Sequence, residues 1–197
     1  MSNIIDAIIN LINRNDTNLT RLQIGNNRIN ETGYALEEYI KNLFADTFNC
    51  SEAERLEKWS EIFSYIGNDA NPPDIMLKNG DAIEVKKIQS NDSALALNSS
   101  YPKRKLLNTD SMISNACREA ENWKEKDLIY IVGVVKYNKI KNLCMIYGLD
   151  KWQQLKNCDK IIKLQEIHSN LKICDVRIKD PDNPCILNNA KLIYYEI

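Results

Sequence analysis

The sequence predicts an α/β domain in which a mixed β-sheet is flanked by helices. Helical spacing of apolar residues fills the first third of the chain, a hairpin signal follows, and β-rich apolar runs dominate the second half. The 197 residues are 44% hydrophobic and 27% charged, and no stretch of the chain resembles a linker. We therefore expect a single domain over residues 1–197 that buries its own core.

Helical periodicity accounts for the predicted helices. Isoleucines recur at helical spacing near the N-terminus, and Asp6 interrupts their apolar run, so this segment is expected to be a docked helix and not a signal peptide. Ser51 and Glu54 form a capping-box pattern at the start of another helix. The predicted helices cover about residues 4–12, 31–48, 51–66, 110–126 and 150–164.

The β-rich segments follow from residue type and alternation. Asn79-Gly80 separates two such segments and indicates a hairpin. The segment 127–137 is apolar enough for a central strand that is buried on both faces. The predicted strands cover residues 74–78, 82–88, 127–137, 142–149, 171–178 and 190–197.

Composition excludes several classes of protein. The 6 cysteines are scattered without a CxxC pair and His168 is the single histidine, which argues against zinc sites, a disulfide framework and His-dependent triads. No apolar run is long enough to cross a bilayer, and we expect a cytoplasmic protein. Residues 1–80 carry 7 basic and 12 acidic side chains, whereas residues 81–197 carry 19 and 15, so a polyanion would be met by the second half.

The hairpin carries the chemical signal. Strand alternation places Glu84 and Lys86 on one face. A two-residue loop would pair Asp74 with Val85 and put the two carboxylates on opposite faces, whereas a three-residue loop with Gly80 in the left-handed conformation would pair Asp74 with Glu84. The second register puts all the apolar side chains on the core side, so burial favours it. Those side chains are Ile75, Leu77, Ile83 and Val85.

Two facing carboxylates repel each other unless a cation lies between them, and hard oxygen ligands suit Mg²⁺. A lysine one step along the strand could polarise a water against a phosphorus atom, so the pattern suits metal-assisted phosphodiester hydrolysis. The alternative is a surface hairpin with an ordinary Glu–Lys pair. Glu37 adds a third carboxylate on the apolar stripe of the helix 31–48, beside Ile40 and Phe44, or is an exposed glutamate at the end of that stripe.

Asp74, Glu84 and Lys86 match the PD-(D/E)xK motif of the restriction-endonuclease-like nuclease superfamily. Over roughly residues 20–150 the sequence resembles restriction endonucleases of the NgoPII type, in the order and spacing of three blocks. The blocks are GYALEEYIKNLFADTF, NPPDIMLKNGDAIEVKKI and SALALNSSYPKRKLLNTDSMISNACREAE. The resemblance implies a restriction-endonuclease-like fold with its catalytic core at about 31–149. It also implies Mg²⁺-dependent cleavage of double-stranded DNA at a short palindrome, with GGCC suggested.

Carried over by position, the resemblance implies that Asp74, Glu84 and the carbonyl of Val85 bind Mg²⁺. Lys86 would orient the attacking water, and Glu37 would be a supporting acid. A palindromic target is most simply met by a homodimer, and a restriction system of a bacterial cytoplasm implies a partner DNA methyltransferase that protects the host.

Basic and hydroxyl-bearing residues beyond the catalytic strand are the candidate DNA contacts, although a polar, solvated loop would have the same composition. They are Lys87, Asn98, Ser99, Ser100, Tyr101, Lys103, Arg104 and Lys105. Two other functions remain open from the sequence: a repair or structure-selective nuclease on the same core, and a DNA-binding module without catalysis.

Overall fold

A computed structural model describes residues 2–14, 16–19, 28–68, 70–88, 105–148, 171–179 and 187–196. The helices of this part are α1 (Ile4–Arg14), α2 (Arg28–Ala45), α3 (Glu52–Ile62) and α4 (Asn115–Glu119). The strands are β1 (Phe63–Asn68), β2 (Asn71–Leu77), β3 (Ala82–Ile88), β4 (Lys105–Leu107), β5 (Glu125–Lys136), β6 (Lys139–Gly148), β7 (Leu171–Lys179) and β8 (Leu187–Glu196).

The strands form a mixed sheet in the order β1-β2-β3-β5-β6-β8-β7, and β4 pairs with the beginning of β5. The pair β3–β5 is parallel, whereas the other pairs are antiparallel. This arrangement confirms the predicted mixed sheet flanked by helices. β5 is buried along nearly its whole length, as expected for a central strand.

Three helices cover one face of the sheet. Ile8 of α1, Leu36 of α2 and Trp59 of α3 share a core with Ile131 of β5. α2 crosses β5 closely, because a Cβ atom built on Gly133 would lie 2.7 Å from Leu36 Cδ2. The absence of a side chain at Gly133 therefore allows the helix to pack directly on the central strand.

The short helix α4 covers the opposite face. Cys117 of α4 packs with Leu128 and Tyr130 of β5, and Trp123 is partly buried against the same cluster. Cys50, Cys117 and Cys144 form no disulfide within the described part of the chain. In the described part of the chain, no helix is both long and apolar enough to span a bilayer.

Apolar periodicity predicted α1, and the capping-box pattern predicted the start of α3. α1 buries its isoleucine face in the core, which confirms a docked helix. The capping box at α3 is complete, since the Glu54 carboxylate accepts from the Ser51 N–H at 2.8 Å and the Ser51 hydroxyl accepts from the Glu54 N–H at 3.4 Å. α2 begins and ends three residues earlier than the predicted helix 31–48.

The lengths of two predicted helices were wrong, and the strands β1 and β4 were not predicted. The predicted helix 51–66 stops at Ile62, because Phe63–Asn68 pairs with β2 as β1. The predicted helix 110–126 is shorter in the structure and corresponds to α4. Its last two predicted residues, 125 and 126, belong to β5 and pair with β4. In each case strand pairing overrides local helix propensity. The predicted helix 150–164 lies outside the described residues.

The β2–β3 register agrees with the three-residue loop. Ile75 pairs with Ile83 and Met76 with Ala82, and the Leu77 N–H donates to the Asp81 carbonyl at 2.9 Å. The left-handed residue of the loop is Asn79 (φ 53°), whereas the sequence predicted Gly80 in that conformation. Asparagine tolerates this region better than other residues with a Cβ, so it can take the position that was assigned to glycine.

Lys126 at the start of β5 fixes this loop. Its side chain is buried, and Nζ donates to the carbonyls of Leu77 at 3.1 Å and Gly80 at 2.8 Å. Nζ also forms an ion pair with Glu121, whose carboxylate accepts from the Asn79 N–H at 3.1 Å. One ammonium group therefore holds both ends of the loop against the central strand.

Replacing Lys126 should destabilise the protein strongly. Lys126→Met leaves two carbonyls and the Glu121 carboxylate without their donor, and we expect a loss of about 3–5 kcal/mol in the free energy of unfolding. Urea denaturation of Lys126→Met, Glu121→Leu and the double variant measures the coupling between the two residues. The exposed Lys124→Met is the matched control and should change stability by less than about 0.5 kcal/mol. A single-variant loss as small as that of the control would contradict this role.

Candidate active site

The candidate site begins where β2 and β3 stop pairing. The ladder between these strands ends at Ile75 and Ile83. Beyond this point the Val85 N–H donates to Asp74 Oδ2 at 2.6 Å. A carboxylate thus takes the place of a backbone acceptor from the neighbouring strand. Asp74 is thereby held beside β3, next to Glu84 in the register.

Glu84 and Lys86 lie on the same face of β3. Glu84 is 3% exposed, and its Oε1 accepts from Lys86 Nζ at 2.7 Å. Its second oxygen, Oε2, is buried and has no hydrogen-bond partner among the described residues. A buried carboxylate oxygen is costly unless a donor or a cation satisfies it. This oxygen of Glu84 is therefore a candidate ligand for a cation.

Asp74 lies among other acidic side chains, and their charges affect its pKa. Burial raises the pKa of the Asp74 carboxyl to about 8, and the negative charges of Glu84 and Glu37 act in the same direction. The hydrogen bond from the Val85 N–H and the charge of Lys86 oppose this rise. Three carboxylates therefore share one region, and a divalent cation would relieve their repulsion.

Glu37 reaches this region from α2, as the stripe of apolar residues on the helix 31–48 suggested. It influences the carboxyl of Asp74 although it comes from a different element. Its neighbour Glu38 faces α3, where its Oε1 accepts from Arg55 at 2.7 Å. The two adjacent glutamates thus have different surroundings, and Glu37 is the one close to the site.

Lys41 is a cation near the site that the sequence did not single out. Burial lowers the pKa of its ammonium group, whereas the charges of Glu37, Glu38 and Asp74 oppose this effect. Its Nζ lies 4.9 Å from the centre of the Trp59 ring. The available signal was its spacing of four residues from Glu37, which places both side chains on one face of α2.

The candidate DNA contacts are spread out in the structure. Lys87 alternates to the other face of β3 from Lys86, is half-buried, and has its pKa lowered by burial. Lys105 lies on β4 opposite Asp127 and forms an ion pair with Glu125, so it does not join the three acids. The remaining candidates lie outside the described residues: Asn98, Ser99, Ser100, Tyr101, Lys103 and Arg104.

The donor set fits Mg²⁺ as an incomplete site. Among the described residues no group of three or more His, Cys, Asp or Glu side chains is arranged to hold a metal. Mg²⁺ commonly takes only one or two protein carboxylates and completes its shell with waters and phosphate oxygens. Asp74 and Glu84 supply two carboxylates, and within the described part of the chain the Glu84 Oε2 atom has no hydrogen-bond partner. The arrangement therefore fits a cation that binds together with a phosphate.

The raised pKa of Asp74 gives a pH dependence in metal-free buffer. Between the usual pKa of an aspartate, about 3.9, and the folded value, the folded state binds more protons than the unfolded state. Asp74 therefore lowers the free energy of unfolding as the pH rises from about 4 towards 8. In EDTA, Asp74→Asn should be more stable than the parent at pH 8, by on the order of 2 kcal/mol, and should gain little at pH 4.

Urea denaturation at both pH values measures this difference. The exposed Asp46→Asn is the matched control and should show no such gain. Equal stability changes at pH 4 and pH 8 for Asp74→Asn would contradict the expectation.

Two comparisons of the sequence with known proteins found relatives. The model of the NgoPII restriction endonuclease family matches residues 2–181. The type II restriction enzyme NgoPII of Neisseria gonorrhoeae is 58% identical over 144 residues, which is 73% of this chain and 52% of that enzyme. The chain thus spans about half the length of this curated relative. No solved structure matches the present chain. Because the family model covers most of the sequence, the chain belongs to the NgoPII restriction endonuclease family.

Proposed function

We propose that this protein is a type II restriction endonuclease that hydrolyses phosphodiesters of double-stranded DNA at a short palindrome with Mg²⁺. The observation that carries the proposal is the gathering of Asp74, Glu84 and Lys86 where β2 and β3 separate. One buried oxygen of Glu84 there has no hydrogen-bond partner among the residues that the structure describes. The name of the 58% identical relative, a type II restriction enzyme, supports the same activity. GGCC is the suggested target, from the family resemblance.

In the proposed mechanism Asp74, Glu84 and the main-chain carbonyl of Val85 would hold the cation. Bound there, Mg²⁺ would act as a Lewis acid on the scissile phosphate. Lys86, whose Nζ lies 2.7 Å from Glu84 Oε1, orients a water and favours its deprotonation through its positive charge. Glu37 adds negative charge that strengthens cation binding. In-line attack on phosphorus breaks the bond to the 3′ oxygen and leaves 5′-phosphate and 3′-hydroxyl ends.

The partners follow from the symmetry of the target. A palindrome presents the same half-site twice, so a homodimer with two-fold symmetry would place one active site on each strand. Lys87, Lys105 and the segment 98–104 are proposed to contact phosphates and bases, since hydroxyls and cations suit both. In a bacterial cytoplasm a DNA methyltransferase of the same specificity would protect the host genome.

A plasmid digest tests the activity directly. With Mg²⁺ we expect discrete fragments, which EDTA abolishes. Lys86→Ala should lower the cleavage rate by at least about 100-fold, because it removes the group that orients the water. The exposed Lys58→Ala on α3 is the matched control and should cleave at the parent rate.

The other outcomes of the digest separate the alternatives. A Mg²⁺-dependent smear would indicate a nuclease that does not recognise a fixed sequence. Intact plasmid in the presence of measurable DNA binding would indicate a binding module in which Asp74, Glu84 and Lys86 are structural. Either result would contradict the restriction activity proposed here.

Cation binding has its own test, independent of cleavage. A ligand that binds only the folded state raises Tm, so millimolar Mg²⁺ should stabilise the Lys86→Ala protein, which does not cleave, in the presence of a short duplex. The variants compared below carry Lys86→Ala as well. Glu84→Gln replaces one ligand oxygen with an amide and should remove most of this Mg²⁺-dependent rise in Tm. The exposed Glu57→Gln is the control and should keep it. An undiminished rise in Glu84→Gln would place the cation elsewhere.

A further inference from the structure

We propose that the turn between β5 and β6 is a DNA-contact element, in which the ring of Tyr137 enters a groove of the duplex. The inference rests on the proposed function, because it assigns a second contact to the same substrate. It concerns residues far along the chain from the catalytic hairpin. Its evidence is a strained backbone, an exposed aromatic ring and a cluster of lysines.

The backbone of the turn is unfavourable for the residue that occupies it. Lys136 pairs with Lys139, which leaves Tyr137 and Asn138 as a two-residue turn. Their φ angles are 53° and 57°, so both residues are left-handed. Turns of this kind favour Asn-Gly, and a bulky residue with positive φ is an outlier. Asn138 suits its position, whereas Tyr137 does not.

Packing does not compensate for this strain. Tyr137 is 99% exposed, so its ring gains nothing from the core. Strained residues persist where they serve a contact, and an aromatic ring can insert between or against bases. The exposed ring on a strained backbone is therefore best explained by a partner that covers the ring.

The turn is held firmly in space. Besides the β5–β6 pairing, the Leu19 N–H donates to the Asn138 carbonyl at 2.8 Å, and the Ile140 N–H donates to the Thr17 carbonyl at 2.9 Å. The segment after α1 therefore braces the turn from the side. A rigid element loses little conformational entropy when it binds, which suits a recognition element.

Three lysines flank the turn along the chain, and all of them are exposed: Lys136, Lys139 and Lys141. A register shift follows Val134 and leaves Lys141 outside the regular pairing, which re-aims its side chain. Asp16 attracts Lys139 and offsets part of this positive charge. The lysines suit phosphate contacts, and we expect the ring of Tyr137 to contribute more to the free energy of DNA binding than these lysines do.

The turn lies beyond Lys86 in the direction in which both β3 and β5 run. β3 and β5 run parallel, and Lys86 pairs with Val132. Tyr137 follows Val132 by five residues in the same direction, about 17 Å at the rise of a strand. This span corresponds to about five base pairs of B-DNA. A two-stranded β ribbon fits the major groove, so one duplex can meet both the acids and the ring.

The test uses opposite effects on stability and on binding. Tyr137→Asn places a residue that tolerates positive φ, so Tm should rise by about 2–4 °C. The same variant should bind a fluorescent duplex at least about fivefold more weakly, because the ring is lost. Tyr137→Phe keeps the ring and should bind within about twofold of the parent. All variants carry Lys86→Ala, which prevents cleavage during the titration, and a duplex with GGCC is compared with one without it.

Controls and charge variants sharpen the comparison. Leu56→Asn removes another exposed hydrophobic side chain, 55% exposed on α3, and should leave the Kd unchanged. Lys136→Gln should lower the slope of log Kd against log salt by about 1, as expected for one phosphate contact.

Each other result overturns the inference. If Tyr137→Asn binds as the parent does while Lys86 remains essential for cleavage, the turn is not a DNA contact and the proposed function stands. If the parent itself neither binds nor cleaves DNA, both proposals fall. If sedimentation shows that Tyr137→Asn dissociates a dimer, the ring contacts a second copy of the chain and not DNA.

Discussion

The hydrogen bond from the Val85 N–H to the Asp74 carboxylate marks the point on which the candidate site depends. Up to Ile75 and Ile83 the two strands form backbone hydrogen bonds with each other. Beyond this pair the acceptor on β2 is the side chain of Asp74. The sheet opens without leaving this N–H unsatisfied. The same bond holds one acid against the next, so the departure from regular pairing is what assembles the site.

Charge balance explains the surroundings of this bond. Asp74, Glu84 and Glu37 come from three different elements, and burial makes their mutual repulsion expensive. Lys86 satisfies one oxygen of Glu84, and Lys41 lies within electrostatic range on α2. One Glu84 oxygen remains without a partner among the described residues. The site is therefore organised around a positive charge that the surrounding lysines supply only in part.

Sequence reasoning succeeded where one physical rule dominated. The three-residue loop followed from apolar burial, since only that register puts Ile75 and Ile83 on the core side together. It failed where distant segments compete for the same residues: the end of the predicted helix 51–66 became β1 because β2 offers it hydrogen bonds. Similarly, Asn79 took the left-handed position expected for Gly80, because both residue types tolerate it.

The sequence by itself determined the α/β class, the face shared by Glu84 and Lys86, and the placement of a carboxylate on the apolar stripe of α2, because each depends on a local period of 2.0 or 3.6 residues. Only the tertiary structure decided that Glu37 and Asp74 influence each other, that Lys41 lies near them, and that the ring of Tyr137 is left exposed on a strained turn. These relations join residues from separate elements, or weigh backbone strain against packing. No local pattern in a chain encodes such distances; they arise when the elements pack.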